Sequence, residues 1–541
     1  MPLTPDMRRS IDQIRDYLYG GGYPDPVSNA EQLSFLFFFY LVEGIDAENK
    51  LRAKVLKKSY TSLFDGQWEL KNPLNAPTPG AATVPRGQFR WSVWAKALSG
   101  EALVRFVRDE VFAFFAELGQ GGAHDFMRGA RLSIDDPTVL TQVMTLVDGL
   151  RLDAADSDTK GDLFEHVLRQ IRQAGELGQF RTPRHVIRTI VEMVDPKVGE
   201  TIYDPAAGTA GFLVAAYNHI RFANSSPAAI TEVEIDGKLQ RRGLGDRLSA
   251  AHVAALQSKT FFGNDVDPKM VRLASMNLTL RGLPDVNILK RNALTEALDD
   301  ERREQLGLPA EGYHVVLANP PFSGRVDKDR ILEDVKVGTT TATELLFLKY
   351  MLDSLRPGGR CGVIVPEGVL FGSTGAHKEL RRILVENNRV EAVLSLPGGV
   401  FQPYSGVKTS VLFFRKGGST ERVLFLHADN DGYKLDANHD QPIEADDFPA
   451  LKAAYASRDQ LVIQWAERDM GAEWTHKWWV ADAATLRSND FNLSASRYRP
   501  MSTAQVEHRD PRELLDELAA IEAEISEEIE ALKLALAEDA A

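Results

Sequence analysis

Residues 201–213 of this chain, TIYDPAAGTAGFL, decide how its central part folds. The stretch begins with a short run that is typical of a buried strand and places Asp204 directly after it. Gly208 and Gly211, with only small residues between them, allow a tight turn and a close approach of the backbone to a ligand. A helix is predicted to begin at about Phe212. The pattern is therefore the strand, turn and helix of an α/β unit.

Short strand patterns and helical patterns continue to alternate from about residue 162 to residue 416. The predicted strands are residues 201–203, 260–263, 314–318, 362–365, 390–395 and 410–414. Such alternation favours an α/β fold, with a doubly wound, mainly parallel sheet and helices on both faces.

The flanking parts of the chain have other patterns. Residues 1–160 carry apolar residues at helical spacing, which predicts an α-helical N-terminal domain. Residues 421–505 are mixed and receive no assignment. Residues 506–541 are predicted to form an acidic C-terminal helix with one apolar stripe, which suits equally a helix that packs on its own chain and a helix that docks a partner. The stripe consists of Leu514, Leu518, Ile521, Ile525, Ile529, Leu532 and Leu536.

A second acidic residue, Asp265, ends the next predicted strand. An acid at this place can accept both ribose hydroxyls of a nucleoside. About 60 residues separate Asp204 from Asp265, against about 20 in a minimal dinucleotide-binding unit, so an insertion and an extra helix are expected between them. The chain also lacks the phosphate-binding pattern Gly-x-Gly-x-x-Gly. Both features favour S-adenosylmethionine over NAD.

A third element, GQFRTPR at residues 178–184, precedes a helical run. Thr182 is predicted as the N-cap and Pro183 as the first helical residue. A capped helix terminus can bind an anion such as the carboxylate of methionine, although an ordinary capped helix without a ligand would have the same sequence.

The tetrapeptide Asn319-Pro320-Pro321-Phe322 follows the strand pattern at residues 314–318. Two prolines remove backbone donors and force a rigid, extended exit from the sheet, at the edge where α/β proteins bind ligands. The Asn319 side-chain oxygen and the Pro320 carbonyl are acceptors for an exocyclic amino group. Phe322 offers a ring face to a flat base. These residues suit chemistry on the amino group of adenine.

The net charge, the cysteine count and the longest apolar run disfavour several classes of protein. The net charge is −14, which disfavours unaided DNA binding and makes a basic partner subunit more expected. The single Cys361 excludes a disulfide framework and a cysteine-based zinc site, and it suits the cytoplasm. The longest apolar run, residues 33–42, is too short to span a membrane and is predicted to be a buried helix.

The order of these motifs resembles that of the γ-type amino-group DNA methyltransferases, and more narrowly the modification (M) subunit of type I restriction-modification systems. The resemblance extends over nearly the whole chain. It includes the segments PGGR at 357–360, VPEGVLF at 365–371, LPGGVF at 396–401 and NLS at 492–494. It implies a Rossmann-like methyltransferase domain at 161–420 that uses S-adenosylmethionine, with the helical domain before it and a partner-docking helix after it.

Carried over position by position, the resemblance implies catalysis at Asn319 to Phe322 and contacts to S-adenosylmethionine at thirteen other positions. Ala207, Ala210, Asp265 and Asn292 replace the Cys, Gly, Glu and Asp that are frequent in the family. No metal is implied. The implied cofactor-binding residues are Gln179, Phe180, Arg181, Thr182, Pro183, Arg184, Asp204, Gly208, Thr209, Ala210, Gly211, Asp265 and Asn292.

Two other methyl-transfer chemistries are disfavoured. Methylation of cytosine C5 needs a nucleophilic cysteine, usually after a proline, whereas Cys361 follows Arg360 at the start of a predicted strand and is expected to be an inert core thiol. Protein-glutamine methyltransferases typically have Tyr where this chain has Phe322.

The implied function is N6-adenine methylation of double-stranded DNA within a type I complex. Residues 421–541 do not resemble a base-reading module, so a separate specificity (S) subunit is expected, together with a restriction (R) subunit, two copies of this chain and no membrane. Two alternatives stay open: a stand-alone adenine methyltransferase of another phage-defence system, and an S-adenosylmethionine-binding assembly subunit without catalysis.

Overall fold

A computed structural model gives the fold of the chain. It describes residues 5–55, 59–118, 127, 129–150, 157–173, 182–235, 237–283, 285, 287–402, 405–436, 439, 441–466, 477–500 and 522. The predicted C-terminal helix at 506–541 and the cofactor-binding residues Gln179, Phe180 and Arg181 lie outside this described part. None of the described helices is long and apolar enough to cross a membrane.

Helices dominate the first third of the chain and then alternate with strands. Helical geometry is continuous from residue 100 to residue 118, with a π-helical turn at Val107–Val111 between two α-helices. The α-helices are α1 Pro5–Gly20, α2 Pro26–Val55, α3 Trp91–Ala97, α4 Gly100–Phe106, α5 Phe112–Leu118, α6 Pro137–Gly149, α7 Ser157–Gln173, α8 Arg184–Val194, α9 Gly211–Ala223, α10 Ala250–Ser258, α11 Pro268–Leu280, α12 Asp300–Gln305, α13 Thr343–Ser354, α14 Glu367–Phe371, α15 Gly375–Glu386, α16 Phe448–Ala456, α17 Arg458–Ala466 and α18 Ala483–Ser488.

The strands form one large sheet and three small hairpins. They are β1 Gln67–Glu69, β2 Thr83–Pro85, β3 Ile202–Asp204, β4 Ile230–Ile235, β5 Lys238–Gly243, β6 Phe261–Asp265, β7 Asn287–Lys290, β8 Tyr313–Ala318, β9 Leu355–Pro366, β10 Arg389–Ser395, β11 Thr409–Arg415, β12 Arg422–His427, β13 Asp431–Tyr433, β14 Pro442–Asp446 and β15 Trp478–Asp482. The large sheet has nine strands in the order β15-β12-β10-β11-β9-β8-β3-β6-β7.

The large sheet is mainly parallel, as the sequence predicts. In the part of the sheet with the order β9-β8-β3-β6-β7, all neighbouring strands are parallel. Strands β10 and β12 are also parallel to each other, whereas β11 and β15 run antiparallel to their neighbours. Strands β8, β10 and β11 and the second half of β9 are buried along almost their whole length, as expected for a sheet with helices on both faces. Because β3, β6 and β8 are parallel neighbours, Asp204, Asp265 and Asn319 follow strand ends at one edge of the sheet.

The helical N-terminal part has its own apolar core. Residues 33–42 of α2 are all buried there, so the prediction of a buried helix is confirmed. Helix α11 connects this core to that of the sheet. Met270, Leu273 and Met276 pack into the helical core, while Val271 and Ala274 pack into the core around the sheet.

Some sheet elements have no counterpart among the predicted strands. All six predicted strands are present at the predicted places in the sequence. Strands β7, β12 and β15 were not predicted. The sheet therefore continues past residue 420. The predicted insertion between the two acidic residues is present as the antiparallel hairpin of β4 and β5 followed by helix α10.

Candidate active site

Asn319 lies directly after β8 and is held by a contact from a distant segment. Its side-chain nitrogen Nδ2 donates a hydrogen bond to Oγ1 of Thr182 at 2.8 Å. Its side-chain oxygen Oδ1 is buried and has no hydrogen-bond partner among the residues that the structure describes. A buried acceptor without a partner costs on the order of 1–3 kcal/mol, so this oxygen is poised to accept a hydrogen bond from a ligand. The amide orientation presents an acceptor at the sheet edge.

Thr182 does not cap helix α8, and the prediction that it does is wrong. The helix begins at Arg184, Pro183 occupies the N-cap position, and no side chain caps the helix. Thr182 is only 6% exposed, and its hydroxyl oxygen accepts the Asn319 amide instead. Thr182, from the segment that was expected to bind an anion, thus holds the side-chain amide of Asn319.

The rest of the tetrapeptide separates into buried and exposed residues. Pro320 is buried and Pro321 is exposed. Phe322 is 6% exposed, and its ring meets that of Phe401 edge-on, with centroids 5.1 Å apart and an interplanar angle of 86°. The two rings form an apolar wall beside Asn319.

The turn after β3 has the backbone that its glycines predict. Gly208 and Ala210 both have positive φ, 53° and 65°, and helix α9 begins at Gly211. The amide of Ala210 donates to the carbonyl of Ala207 at 2.7 Å, which closes the turn. A Cβ atom at Gly211 would lie 3.0 Å from Cδ1 of Ile187, so this glycine lets α8 and α9 pack closely.

Asp265 connects the ends of the first two sheet strands. Its Oδ2 accepts the backbone amide of Gly208 at 3.0 Å, and its Oδ1 accepts that of Asp267 at 2.9 Å. Burial raises the pKa of this carboxyl above its ordinary value, against the lowering effect of these hydrogen bonds. Each carboxylate oxygen keeps a second lone pair. Asp265 can therefore hold the turn and still accept a ligand hydroxyl.

Asp204 is more deeply buried than Asp265. It is 1% exposed, and its Oδ1 accepts the amide of Ala206 at 3.0 Å. Burial, together with the nearby charge of Asp265, raises the pKa of this carboxyl to about 8, against the lowering effect of the hydrogen bond from Ala206. Asp204 therefore supports the turn through its hydrogen bond with Ala206, and it is largely protonated at neutral pH.

The remaining predicted cofactor-binding residues have local partners. Asn292 lies after β7, and its Oδ1 accepts the amide of Leu294 at 3.0 Å. Arg184 forms an ion pair with Glu165, with Nε and Oε1 2.8 Å apart. Thr209 lies in the turn itself, and its carbonyl accepts Nδ2 of Asn277 at 2.9 Å.

Asn277, on α11, was not among the residues that the sequence indicated, and neither was Asn264. Both are buried, and Nδ2 of Asn264 donates to the Tyr203 hydroxyl at 2.6 Å. The signal that could have indicated Asn277 is a polar residue inside the apolar pattern of a helix. Such a side chain must find a partner when it is buried.

Cys361 is a buried free cysteine in β9, and burial raises its pKa well above the ordinary value. Such a thiol is not a nucleophile. The prediction of an inert core thiol agrees with this placement.

The arrangement fits a nucleoside. Half-buried Asp265 offers acceptors for ribose hydroxyls, and the adjacent Val266 is 57% exposed, an apolar side chain beside the carboxylate that suits a base. The left-handed turn at Gly208 and Ala210 lies across from it, hydrogen-bonded to the same carboxylate. These residues fit the cofactor that the sequence predicts.

Comparisons with known proteins agree with this geometry. The family model described as N-6 DNA Methylase matches residues 155–508. The methylase subunit of the Escherichia coli type I restriction enzyme EcoEI is 29% identical over 517 residues, which cover 90% of this chain and 92% of the relative. The corresponding StySJI subunit of Salmonella typhimurium LT2 is 30% identical over 388 residues, covering 68% and 67%.

A solved structure is similar over almost the same extent. It is described as the structural basis of complex assembly and conformational transition of the type I R-M system, and its sequence is 26% identical to this chain. The match covers 98% of this chain and 98% of the other, with a TM-score of 0.66. The match of the family model to well over half of the residues, together with the strand-end geometry of Asn319, leads to one conclusion: this chain belongs to the N-6 DNA methylase family, alongside the methylase subunits of type I restriction enzymes.

Proposed function

We propose that this chain transfers a methyl group from S-adenosylmethionine to the N6 amino group of adenine in double-stranded DNA, as the modification subunit of a type I restriction-modification complex. Family membership supports the reaction type. The observation that carries the proposal is the unpartnered Oδ1 of Asn319, held in place through the contact of Nδ2 with Thr182.

The residues proposed to hold the cofactor are the turn at Gly208 to Gly211, Asp204 behind it, and Asp265 for the ribose hydroxyls. Thr182 to Arg184, Asn292 and the segment Gln179 to Arg181 complete the proposed set. When bound, S-adenosylmethionine supplies an electrophilic methyl group on a sulfonium. Asp265 orients the nucleoside because its carboxylate is itself fixed by two backbone amides.

The target base is proposed to lie against the tetrapeptide. The adenine amino group is a poor nucleophile because its lone pair is delocalised into the ring. Asn319 Oδ1 and the Pro320 carbonyl would accept hydrogen bonds from its two N–H groups and stabilise the positive charge that develops on N6 during attack. Phe322 would stack on the base after extrusion from the duplex. Because Phe322 packs against Phe401, the pair must shift to uncover a ring face.

The proposed partners are DNA, a sequence-reading specificity subunit, a restriction subunit and a second copy of this chain. The net charge of −14 supports a basic partner that contributes DNA contacts. The buried free thiol of Cys361 supports a reducing compartment, and we propose the cytoplasm.

The experiment measures tritiated methyl transfer to DNA, followed by nucleoside analysis for N6-methyladenine. Wild-type chain is tested alone and with the products of the neighbouring operon. Activity that needs those products supports the type I assignment, whereas sequence-specific methylation by the chain alone supports the stand-alone alternative.

Asn319→Ala tests the site in the same assay. It should abolish transfer and leave binding of S-adenosylmethionine within about threefold, since Asn319 acts on the base. Asn224→Ala is the matched control, because that asparagine lies after α9 and its side-chain Nδ2 donates to the local carbonyl of Ile220 at 2.8 Å. Methylation that persists in Asn319→Ala would refute the role assigned to this residue, and an inactive wild-type complex would favour the non-catalytic assembly subunit.

A further inference from the structure

Two histidines and one aspartate meet in a buried cluster that the proposed reaction does not use. His185 lies in the first turn of α8, Asp431 begins β13, and His439 lies between β13 and β14. The His185 side chain is 9% exposed, and those of Asp431 and His439 are 0% exposed. Among the described residues, this is the one group of three such side chains whose potential ligand atoms converge.

The carboxylate of Asp431 is fixed so that one oxygen faces both histidines. Its Oδ1 accepts the backbone amide of Tyr433 at 3.2 Å. Its Oδ2 lies 2.9 Å from Nε2 of His185 and 2.8 Å from Nε2 of His439. A single oxygen is therefore approached by two ring nitrogens in a space without exposed surface.

His439 approaches this oxygen at an angle that does not suit a hydrogen bond. Among the described residues, neither of its ring nitrogens has a hydrogen-bond partner, although Nε2 lies 2.8 Å from Oδ2. The residue also has φ of 47°, which is uncommon for a residue other than glycine, and its backbone amide donates to Oδ1 of Asp436 at 2.9 Å. An ion held between the two side chains would give the ring nitrogen and the carboxylate oxygen a shared partner.

We propose that His185, Asp431 and His439 bind one divalent transition-metal ion of the Zn²⁺ class. Two imidazole nitrogens and one carboxylate oxygen are ligands of that class, and the remaining position would take water. At tetrahedral angles, metal–ligand bonds of about 2.0–2.1 Å separate the ligand atoms by about 3.3–3.4 Å, so Oδ2 would move away from each histidine by about 0.5 Å when the ion binds.

The surroundings of the cluster suit such an ion. The ring of Tyr433 stacks on His185 with centroids 4.4 Å apart. Lys238 lies over the Tyr433 ring, and its charge is paired with that of Asp446 at 2.8 Å.

The ion would join two segments that are far apart in sequence. His185 follows the Thr182–Pro183 segment that orients Asn319, while Asp431 and His439 belong to the hairpin of β13 and β14. The ion would fasten this hairpin to the start of α8. It would therefore have a structural role that does not depend on the proposed methyl transfer.

The test measures metal content of the purified full-length chain after incubation with excess Zn²⁺ and extensive dialysis. We expect about one equivalent per chain, and visible d–d absorption when Co²⁺ replaces Zn²⁺. His439→Asn and Asp431→Asn should each lose this equivalent. Asn tolerates the left-handed backbone at position 439, and at position 431 it keeps an acceptor for the Tyr433 amide, so both variants should fold.

His219→Asn is the matched control. His219 also contacts an aspartate, with Nε2 2.8 Å from Oδ1 of Asp195, but it belongs to no described three-residue cluster. This variant should keep the bound metal and the rise in melting temperature that Zn²⁺ gives the wild type. A wild-type chain that retains no metal would overturn the proposal and leave a proton-linked cluster. Uptake that survives both cluster substitutions would overturn it as well, since the ion would then lie elsewhere.

Discussion

The side-chain amide of Asn319 donates a 2.8 Å hydrogen bond to the Thr182 hydroxyl, which lies 137 residues earlier in the chain. This bond determines which end of the amide faces the sheet edge, because Nδ2 is engaged and Oδ1 is not. An acceptor that points toward the base is what chemistry on an amino group needs. The segment before α8 thus contributes to the proposed base site as well as to the proposed cofactor site.

Thr182→Val should impair catalysis while leaving the fold intact. Valine has the same shape but no hydroxyl, so the Asn319 amide can rotate away from its productive orientation. We expect kcat for methyl transfer to fall on the order of ten- to a hundredfold. Thr182→Ser keeps the hydroxyl and should retain most of the activity. Steady-state kinetics decides, and equal rates for the valine and serine variants would contradict the positioning role.

Asp265→Asn should weaken cofactor binding. The carboxylate accepts the amides of Gly208 and Asp267 with different oxygens, whereas an asparagine has one acceptor oxygen and must turn an NH₂ group toward one of these donors. We expect the Kd for S-adenosylmethionine to rise at least about tenfold, measured by calorimetry.

The same substitution two residues later is the control for Asp265. Asp267→Asn changes the N-cap of α11, where asparagine caps as well as aspartate does. Its Kd should stay close to that of the wild type. If Asp265→Asn also binds the cofactor with wild-type affinity, the carboxylate does not hold the nucleoside.

Asp204→Asn should change how stability depends on pH. The pKa of Asp204 is raised from its ordinary value of 3.8 to about 8 in the folded chain. Between these values the folded state keeps a proton that the unfolded state has lost, so the wild type loses stability as the pH rises from about 4 to about 8. The slope is at most about 1.4 kcal/mol per pH unit for one proton.

The asparagine variant does not titrate and should lack this loss. Denaturant unfolding of both proteins between pH 5 and pH 9.5 measures the difference, which should widen in favour of Asp204→Asn up to about pH 8 and level off about one pH unit above it. Parallel stability profiles would show that Asp204 is ionised in the folded chain at neutral pH.

Ala210→Gly should leave the stability of the protein nearly unchanged. Ala210 has φ of 65°, where an alanine costs about 1–2 kcal/mol and a glycine costs little. The greater freedom of glycine in the unfolded chain offsets about 0.4–1 kcal/mol of this gain. Loss of the methyl group, which is fully buried in the core around the sheet, offsets about 0.8 kcal/mol more. Denaturant titration should therefore give a free energy of unfolding within about 0.5 kcal/mol of the wild type.

Gly208→Ala is the reverse experiment in the same turn. Its φ is 53°, and a Cβ atom there would have no neighbour within 4 Å, so the cost is purely conformational. We expect a loss of about 0.5–1 kcal/mol. An unchanged free energy of unfolding in Gly208→Ala would mean that the turn does not keep its left-handed backbone.

Local sequence patterns were sufficient to predict the strands and the turn that position the site. Alternating apolar runs indicated six strands of the large sheet, and small residues indicated the turn at Gly208 to Gly211. Acidic and amide residues at strand ends implied that Asp204, Asp265 and Asn319 share one edge, because neighbouring parallel strands end together. These inferences work because hydrophobic periodicity and backbone conformation depend on near neighbours in the chain.

Only the tertiary structure decided which side chains pair. Thr182 was expected to cap a helix, and it orients Asn319 instead. His185, Asp431 and His439 converge although 246 residues separate the first two. A hydroxyl or an imidazole can satisfy its hydrogen bonds with many partners, and nothing in its own neighbourhood of sequence selects one. The selection comes from packing, because burial removes water as a partner and leaves only the groups that the fold has brought within reach.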